Sequence, residues 1–369
     1  MERKIKVLVI SDYRDTVAVR PEAEIFIRLQ SIGVDVTIMT YENAEYVKRF
    51  EASGIKIIPF HPEKKLSQKT VKFIRQELIK GQYNILHLFN SKAIINGIKA
   101  AKKLPVKVVL FRGVSVNVHW YDPTAYLKYL NPRVDKIICV TEKVKESIDR
   151  NLFFDKSKTV AIIKGHSMDW YKDVKPFNLQ QINIPSNVFI VVNVANARPM
   201  KGIPYLIKSS TYLPKDLPIH YLLIGPNMDC EEYAKLINES PYKNNFHVMG
   251  YVKDPLPYVA ASDIFVLSSI SSEGLNKTTI EAMSLGKAPV VTDIPENEKL
   301  VVNEKNGLVV PAKDPAAIAK AMLQLYNDPE LCKMYGQRSV EHVKNQLGID
   351  QTVEKMMLLY HELLDSRPV

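Results

Sequence analysis

The feature that most constrains this chain is a regular alternation of short apolar segments with longer segments of helical periodicity. In the first half, six apolar segments of six to eight residues have the composition of buried strands: 4–11, 34–40, 55–60, 84–89, 107–112 and 136–141. One apolar strand for each intervening helix is the pattern of a parallel sheet covered by helices on both faces. The sequence therefore predicts an α/β chain with doubly wound sheets.

A second series of strand-like segments begins after the polar, proline-containing stretch 172–187. Its members are 188–195, 220–225, 245–250, 263–269, 288–293 and 308–310. A length of 369 residues suits two domains of ordinary size. We therefore predict two Rossmann-like domains, 1–175 and 176–349, facing each other across a cleft where the strands' carboxyl ends meet the ligands. We expect 350–369 to form a helix that packs near the hinge and back on the first domain.

The composition excludes several classes of protein. With 46% hydrophobic and 24% charged residues, the chain is neither disordered nor fibrous. Its longest apolar runs are strand-sized, far short of the ~18–20 residues of a membrane-spanning helix, and Asp12 interrupts the N-terminus before a signal-peptide core. The three cysteines are far apart, so neither a disulfide framework nor a cysteine metal site is indicated. We expect a cytoplasmic protein.

Positive charge is concentrated in the first half of the chain. Residues 1–175 contain 32 Lys and Arg against 19 Asp and Glu, whereas 176–369 contain 18 against 21. No acidic residue occurs between Glu77 and Asp122. Such a half suits an anionic partner, namely a phosphorylated acceptor, an acidic glycan, a membrane surface or nucleic acid, or it is a solvated lysine-rich surface.

Segment 62–81 is a candidate basic helix with an apolar stripe at Val71, Ile74 and Leu78. Two interpretations are open: the stripe packs on the sheet, or the helix docks on anionic lipid.

The segment 268–293 contains the residues most informative about chemistry. A strand ends at its start, a polar turn carries Glu273 and Gly274, and a helix begins near the N-cap residue Asn276. A turn that leads into a helix N-terminus offers backbone N–H groups and the positive dipole end to an anion. Together with Glu281, one turn inside the helix, it suits a sugar nucleotide, because carboxylates accept hydrogen bonds from sugar hydroxyls. Alternatively, both glutamates are solvated, or Glu281 only pairs locally.

Residues 273–293, EGLNKTTIEAMSLGKAPVVTD, resemble the signature of the family 4 retaining glycosyltransferases, which have two Rossmann-like domains in the GT-B arrangement. Other segments are similar to the family in the same order: 193–210, 221–226, 250–269, 303–311 and 314–328. The resemblance covers most of the C-terminal half. It implies a hexosyltransferase that moves a sugar from a nucleoside-diphosphate sugar to a glycan or lipid-linked acceptor, without a cofactor. Bacterial cell-surface polysaccharide or lipopolysaccharide synthesis is the expected setting.

The resemblance also implies roles for individual residues. Glu273 contacts the donor-sugar hydroxyls and Glu281 holds the ribose hydroxyls. Arg198 and Lys201 neutralise the leaving diphosphate. Residues implied to line the sugar, diphosphate or nucleotide are Gly202, Gly225, Gly250, Tyr251, Val252, Gly274, Leu275 and Asn276. Two fixed cations and a helix end can stabilise the leaving phosphate without metal, and no D-x-D sequence is present, so we expect no metal site.

The first half matches the family less well. The family's Gly-Gly pair is missing from the loop predicted at 11–24, where Arg14 and Arg20 are candidates for contact with an anionic acceptor group. The family's His-Gly pair is replaced by arginine and glycine, so Arg112 is a candidate contact for the acceptor or the donor sugar. His119 follows shortly after as a second candidate.

Two further positions bear on substrate recognition. His166, where the chain approaches the hinge, is a candidate for lining the cleft on the acceptor side. Pro295 and Glu296 stand where the family has Gly-Gly after the glutamate motif, which leaves the donor sugar open.

Other functions stay open at this point. A nucleotide-sugar epimerase shares the architecture, a glycosidase requires two carboxylates ~5–9.5 Å apart, and a non-catalytic protein that binds an anionic polymer would also have a basic half. No recognition motif favours nucleic acid, and no G-x-G-x-x-G follows the first strand, which disfavours a nicotinamide enzyme. For the transferase we expect peripheral contact between the basic domain and an anionic membrane, at the inner face of the cytoplasmic membrane, and no nucleic-acid partner.

Overall fold

The computed structural model describes residues 4–114, 118–153, 155–271 and 275–365, with the side chains of 16–18 excepted. The chain divides into two compact units, of which the first comprises 1–165 with 349–369 and the second 166–348. The sequence pattern places this boundary ten residues later, after 175. Residues 166–175 group with the second unit, where the backbone N–H of His166 donates to the Leu347 carbonyl at 2.8 Å.

The first unit is built on a parallel sheet of seven strands in the order β3-β2-β1-β4-β5-β6-β7. The strands are β1 Lys6–Ile10, β2 Asp35–Thr40, β3 Lys56–Pro59, β4 Ile85–Leu88, β5 Lys107–Arg112, β6 Lys136–Cys139 and β7 Thr159–Ala161. The helices are α1 Thr16–Ser31, α2 Val47–Ala52, α3 Gln68–Gly81, α4 Ser91–Ala100, α5 Glu142–Asp149 and α12 Ile349–Asp365. The strand order reverses between β1 and β4, and such a switch point is where open α/β sheets bind ligands at the strands' carboxyl ends.

Two helices of this unit bear on the sequence predictions. Helix α1 contains Pro21 in its second turn, so it includes much of the loop predicted at 11–24. Proline is favoured at the first helical position, which is why the sequence suggests a later start. Helix α12 contributes Val353, Met356, Leu359, Tyr360 and Leu363 to the unit's core.

The second unit is built on a parallel sheet of six strands in the order β10-β9-β8-β11-β12-β13. The strands are β8 Phe189–Val194, β9 Ile219–Ile224, β10 Phe246–Gly250, β11 Ile264–Leu267, β12 Ala288–Thr292 and β13 Leu308–Val310. The helices are α6 Ile203–Ser209, α7 Glu231–Glu239, α8 Leu256–Ala260, α9 Lys277–Ser284, α10 Pro315–Asn327 and α11 Pro329–Gln346. The predicted α/β class with two doubly wound parallel sheets is confirmed.

The basic segment 62–81 is helical only from Gln68, after the N-cap Ser67. Ile74 and Leu78 are buried, so the apolar stripe packs inside the unit and leaves the lysines at the surface. The loop before the helix is fixed by the buried Asn96, whose Nδ2 lies 3.0 Å from the Lys64 carbonyl. Within the ranges given above, no helix combines the length and the apolar character that crossing a membrane requires.

Candidate functional site

The loop that carries Arg198 and Lys201 lies against the carboxyl end of β11. The backbone N–H of Ile270 donates to the Met200 carbonyl at 2.8 Å, and the Ser268 hydroxyl donates to the Lys201 carbonyl at 3.1 Å. Arg198 is exposed and Lys201 is half-buried. The loop after β8 and the residues after β11 therefore form one connected surface at the carboxyl edge of this sheet.

Gly202 makes this close approach possible. Its φ of +62° lies in the left-handed region, and a Cβ at this position would lie 2.0 Å from the Ser268 carbonyl oxygen. Only glycine combines that backbone conformation with so short a separation. Gly202 thus allows the loop that carries Arg198 and Lys201 to lie directly against the end of β11.

The N-terminus of α9 lies at the same edge. The Asn276 side chain caps the helix by accepting from the Thr279 backbone N–H at 3.0 Å, and the Thr278 hydroxyl donates to the Val194 carbonyl at 3.0 Å. The helix N-terminus is thereby attached to the end of β8, the strand that leads into the cation loop. Glu273 and Gly274, at the centre of the predicted turn, lie outside the described residues, and Leu275 directly precedes the cap.

Glu281 is buried and pairs with a lysine of its own helix. Its side chain is 7% exposed, and its Oε1 lies 2.7 Å from Lys277 Nζ. The local pairing left open by the sequence is therefore present. Lys277, whose side chain is 30% exposed, compensates the charge of the buried carboxylate and holds it one turn inside the helix.

The ends of β8, β9 and β10 are also joined. Gly225 donates its N–H to the Gly250 carbonyl at 2.7 Å, and a Cβ on Gly225 would lie 1.7 Å from the Ala195 carbonyl oxygen. Beyond this junction Tyr251 is 71% exposed and Val252 is half-buried. The positions implied for nucleotide contact thus stand side by side at one edge of the second sheet.

Three buried polar atoms at this edge were not found by sequence reasoning. Asn193 Oδ1, Asn196 Oδ1 and Ser269 Oγ make no hydrogen bond within the described part of the chain. Buried polar groups are nearly always hydrogen-bonded, so such a cluster requires an explanation. The sequence does contain a signal for these three residues, because they are polar residues at the ends of otherwise apolar strands.

In the first unit, the two arginine candidates at the carboxyl ends of β1 and β5 are held by local contacts. Arg14 forms an ion pair with Asp12 at 2.7 Å, which holds the pKa of that carboxyl below its usual range. The Arg14 guanidinium also lies 4.0 Å from the centre of the Tyr41 ring. Arg112 donates through Nε to the Val114 carbonyl at 2.7 Å and lies over the Tyr129 ring.

The other three candidates of the first half are dispersed. Arg20 lies half-buried on α1. His119 is exposed, and its ring stacks on Tyr121 with 5.0 Å between centroids. His166 is buried, and its Nδ1 lies 2.5 Å from the Tyr171 hydroxyl within the second unit.

An ion pair between a half-buried lysine and a buried glutamate at the carboxyl edge of the first sheet was also missed. Lys164 Nζ lies 2.6 Å from Glu22 Oε2, and the Ser11 hydroxyl donates to Glu22 Oε1 at 2.6 Å. Lys164 and Glu22 line a cavity of about 20 Å³ together with His87. Burial lowers the pKa of His87 to about 3, so the imidazole is neutral near pH 7. The three residues are far apart in sequence, so no local motif reveals them.

A second buried histidine lies near Arg14. Asn90 Oδ1 accepts from the Ala93 backbone N–H at 3.0 Å as the cap of α4, so its amide nitrogen donates to His61 Nε2 at 2.8 Å. The ring of His61 stacks on Tyr41, and burial lowers the pKa of His61 to about 4. In the ranges that the structure describes, no cluster of three or more His, Cys, Asp or Glu could hold a metal ion.

Comparison with known sequences identifies related proteins. Residues 23–167 match the profile described as Glycosyltransferase Family 4, and residues 174–342 match the profile described as Glycosyl transferases group 1. Three curated glycosyltransferases of Methanocaldococcus jannaschii are 25 to 30% identical, and this chain spans 41 to 63% of their length. An Escherichia coli UDP-Gal:α-D-GlcNAc-diphosphoundecaprenol α-1,3-galactosyltransferase is 23% identical over 79% of this chain and 78% of its own.

Solved structures show the same fold. A glycosyltransferase from Rickettsia africae superimposes with a TM-score of 0.83 at 20% identity, covering 99% of this chain and 100% of its own. Anabaena Alr3699/HepE, in complex with UDP and glucose, gives 0.76 at 16% identity over 97% and 100%. Because the two profiles together span most of the chain, it belongs to the family 4, group 1 glycosyltransferases and has their GT-B fold.

Proposed function

We propose that this protein transfers a hexose from a nucleoside-diphosphate sugar to a glycan or lipid-linked acceptor, with retention of anomeric configuration and without a metal ion. The observation that carries the proposal is the junction of the cation loop, the end of β11 and the N-terminus of α9 at one sheet edge. A helix N-terminus beside two cations suits a diphosphate better than any neutral ligand.

In this mechanism, Arg198 and Lys201 offset the charge that builds on the leaving diphosphate. Fixed donors and cations favour the transition state because they need no reorganisation as the charge develops. The buried Glu281 accepts from the ribose hydroxyls, and Glu273 accepts from those of the donor sugar. The unpaired buried oxygens of Asn193, Asn196 and Ser269 provide further polar contacts around the nucleotide.

The acceptor hydroxyl must lose a proton as the new glycosidic bond forms. We assign that proton to the leaving diphosphate, which lies on the same face of the sugar as the attacking oxygen when configuration is retained. The basic first unit contributes acceptor contacts, with Arg14, Arg20 and Arg112 as the candidates, and His166 is a further candidate from the second unit. His119 is not kept in this role, because the adjacent Trp120 bonds to Asn151 at the end of α5, away from the strands' carboxyl ends.

A lipid-linked acceptor fits the relatives. The Escherichia coli relative acts, by its name, on a diphosphoundecaprenol-linked sugar, and another from Rhizobium meliloti is named for lipopolysaccharide core biosynthesis. We place this protein in cell-surface polysaccharide or lipopolysaccharide synthesis, in peripheral contact with the inner face of the cytoplasmic membrane. The excess positive charge of residues 1–175 supports that contact.

The test is a thermal-stability screen with UDP-, GDP-, ADP- and CMP-sugars. A donor at 100 times its Kd stabilises the folded state by about 2.7 kcal/mol, or roughly 5–10 °C for a unit of this size. We expect one or two donors to stabilise the wild type, and Lys201→Met and Glu281→Gln to lose most of that response.

The matched control is Lys208→Met, which removes an exposed lysine from α6, seven residues further along the chain. It should respond as the wild type does. Equal stabilisation of all four proteins would contradict the assigned donor site. With the donor identified, proton NMR of the glycosylated product reads its anomeric configuration, and an inverted product would contradict retention. An isomeric sugar nucleotide formed without acceptor would indicate an epimerase instead.

A further inference from the structure

An exposed aromatic cluster in the first unit is not used by the proposed reaction. The side chains of Trp120 and Phe153 are 53% and 63% exposed, and their rings lie 5.8 Å apart, edge to face. Tyr121, Tyr126 and Leu127 are exposed beside them. Soluble proteins rarely expose apolar groups in such a cluster unless the surface has a partner.

The cluster lies at the amino edge of the first sheet, where the parallel strands begin. Trp120 donates its backbone N–H to Asn151 Oδ1 at 3.0 Å. Asn151 lies in the connection between the C-terminal end of α5 and the start of β7. In a parallel sheet that connection is at the opposite edge from the carboxyl ends. The cluster is therefore separated from the ligand edge by the length of the strands, about 16 Å for five residues.

Exposed lysines occupy the same edge. They lie at the ends of α3 and α4 and before β7: Lys80, Lys99, Lys102, Lys103 and Lys156. Ile79, which is 57% exposed, lies beside the first of them. Exposed acids also occur there: Asp155 caps the turn before β7, and Glu362 of α12 pairs with Lys136 at the start of β6 at 2.8 Å. We call these lysines, Ile79 and the aromatic cluster the amino-edge surface.

Hydrogen bonds between neighbouring loops make this surface continuous. Arg75 Nη1 donates to the Lys102 carbonyl at 2.7 Å, and Arg133 Nε donates to the Ala101 carbonyl at 3.2 Å. The loop of Arg133 leads on to the cluster, because Lys158 Nζ donates to the Pro132 carbonyl at 3.2 Å. The lysines and the aromatic rings thus belong to one face of the unit.

We propose that the amino-edge surface docks the protein on an anionic membrane, with its lysines at the lipid head groups and Trp120 and Phe153 at the interface. Lysines complement anionic head groups, and tryptophan prefers the boundary between apolar and polar layers. Docking at this edge leaves the carboxyl edge open to substrates. The inference rests on the proposed function in its peripheral contact with the membrane, and it replaces segment 62–81 as the docking element because that helix buries its apolar stripe.

The test uses the full chain and vesicles of phosphatidylglycerol or of phosphatidylcholine. The chain has two tryptophans, so Trp170→Phe leaves Trp120 as the sole tryptophan fluorophore. We expect sedimentation with the anionic vesicles and a blue shift of Trp120 emission, with neither on phosphatidylcholine. Lys102→Glu with Lys103→Glu should weaken binding about 25-fold or more, at about five-fold for each lysine lost, and Phe153→Ser should weaken it several-fold.

Two controls match these changes. Lys64→Glu with Lys65→Glu makes the same charge change at exposed lysines of the segment before α3, and Leu358→Ser removes an apolar side chain 65% exposed on α12. Both should bind as the wild type does. Absence of vesicle binding, equal loss in the two lysine pairs, or RNA binding without vesicle binding would overturn the proposal. Donor-induced stabilisation of the Lys102 and Lys103 variant tests the donor site separately, because it should be unchanged even where docking is lost.

Discussion

Replacing Gly202 with alanine tests the close approach at the centre of the candidate site. The φ of +62° lowers the unfolding free energy of an alanine variant by about 1–2 kcal/mol. Alanine also makes the unfolded chain stiffer, which raises the unfolding free energy by about 0.4–1 kcal/mol. The new Cβ would also stand 2.0 Å from the Ser268 carbonyl oxygen, so the loop must move by about 1 Å or more. That movement breaks the hydrogen bonds from Ile270 and Ser268 to the loop, at about 1 kcal/mol each.

The expected loss of unfolding free energy is therefore about 3 kcal/mol, or roughly 6–12 °C in melting temperature. Gly250→Ala is the matched control, since Gly250 has a φ of +63° and a Cβ added there would stand in open space, with at least 4 Å to the described atoms around it. It should lose only about 1 kcal/mol, the backbone contribution alone. Calorimetry and urea unfolding of the two variants give the comparison. Equal destabilisation would refute the claim that the contact with Ser268, rather than the backbone conformation, requires glycine here.

Three further predictions concern the first unit. Asn96→Ala should lower the free energy of unfolding by about 2–3 kcal/mol in urea, because it leaves the carbonyls that the buried amide satisfies without a donor. The folded-state pKa of His87, about 3, lies below its unfolded value, so the unfolded chain binds a proton that the folded chain excludes. Stability should therefore fall as pH drops from about 6.5 towards 4, and His87→Leu should flatten the slope in urea titrations by up to about 1.4 kcal/mol per pH unit. Lys164→Met should cost about 2–4 kcal/mol by leaving Glu22 buried and uncompensated, and adding Glu22→Gln should recover part of it in a double-mutant cycle.

Much of the fold could be predicted from the sequence because parallel strands buried on both faces are apolar throughout. The runs around β1, β8 and β11 show this pattern. The start of α9 was predictable for another reason, because Asn276 is a favoured N-cap residue. Strand β7 was missed because three residues are too few to show a pattern. The start of α1 was missed because Pro21 suggested a helix beginning rather than a helix interior.

The candidate site was predictable only where its residues are neighbours in sequence. Gly202 and the cations beside it form one short segment, so the resemblance found them together. Lys164 and Glu22 are brought together by the fold across 142 residues, which no local pattern records. Likewise, the single side chain of Trp120 gave no sign that it would be exposed, because exposure depends on what the rest of the chain covers.

The most direct test of the account is the position of a bound nucleoside diphosphate in a crystal structure of the complex, with the nucleotide chosen by the thermal screen. The account predicts the diphosphate within hydrogen-bonding distance of Lys201 Nζ or the Arg198 guanidinium and beside the first N–H groups of α9, with the ribose hydroxyls at Glu281. A diphosphate bound elsewhere on the second unit, with the loop after β8 making no contact to it, would contradict the account.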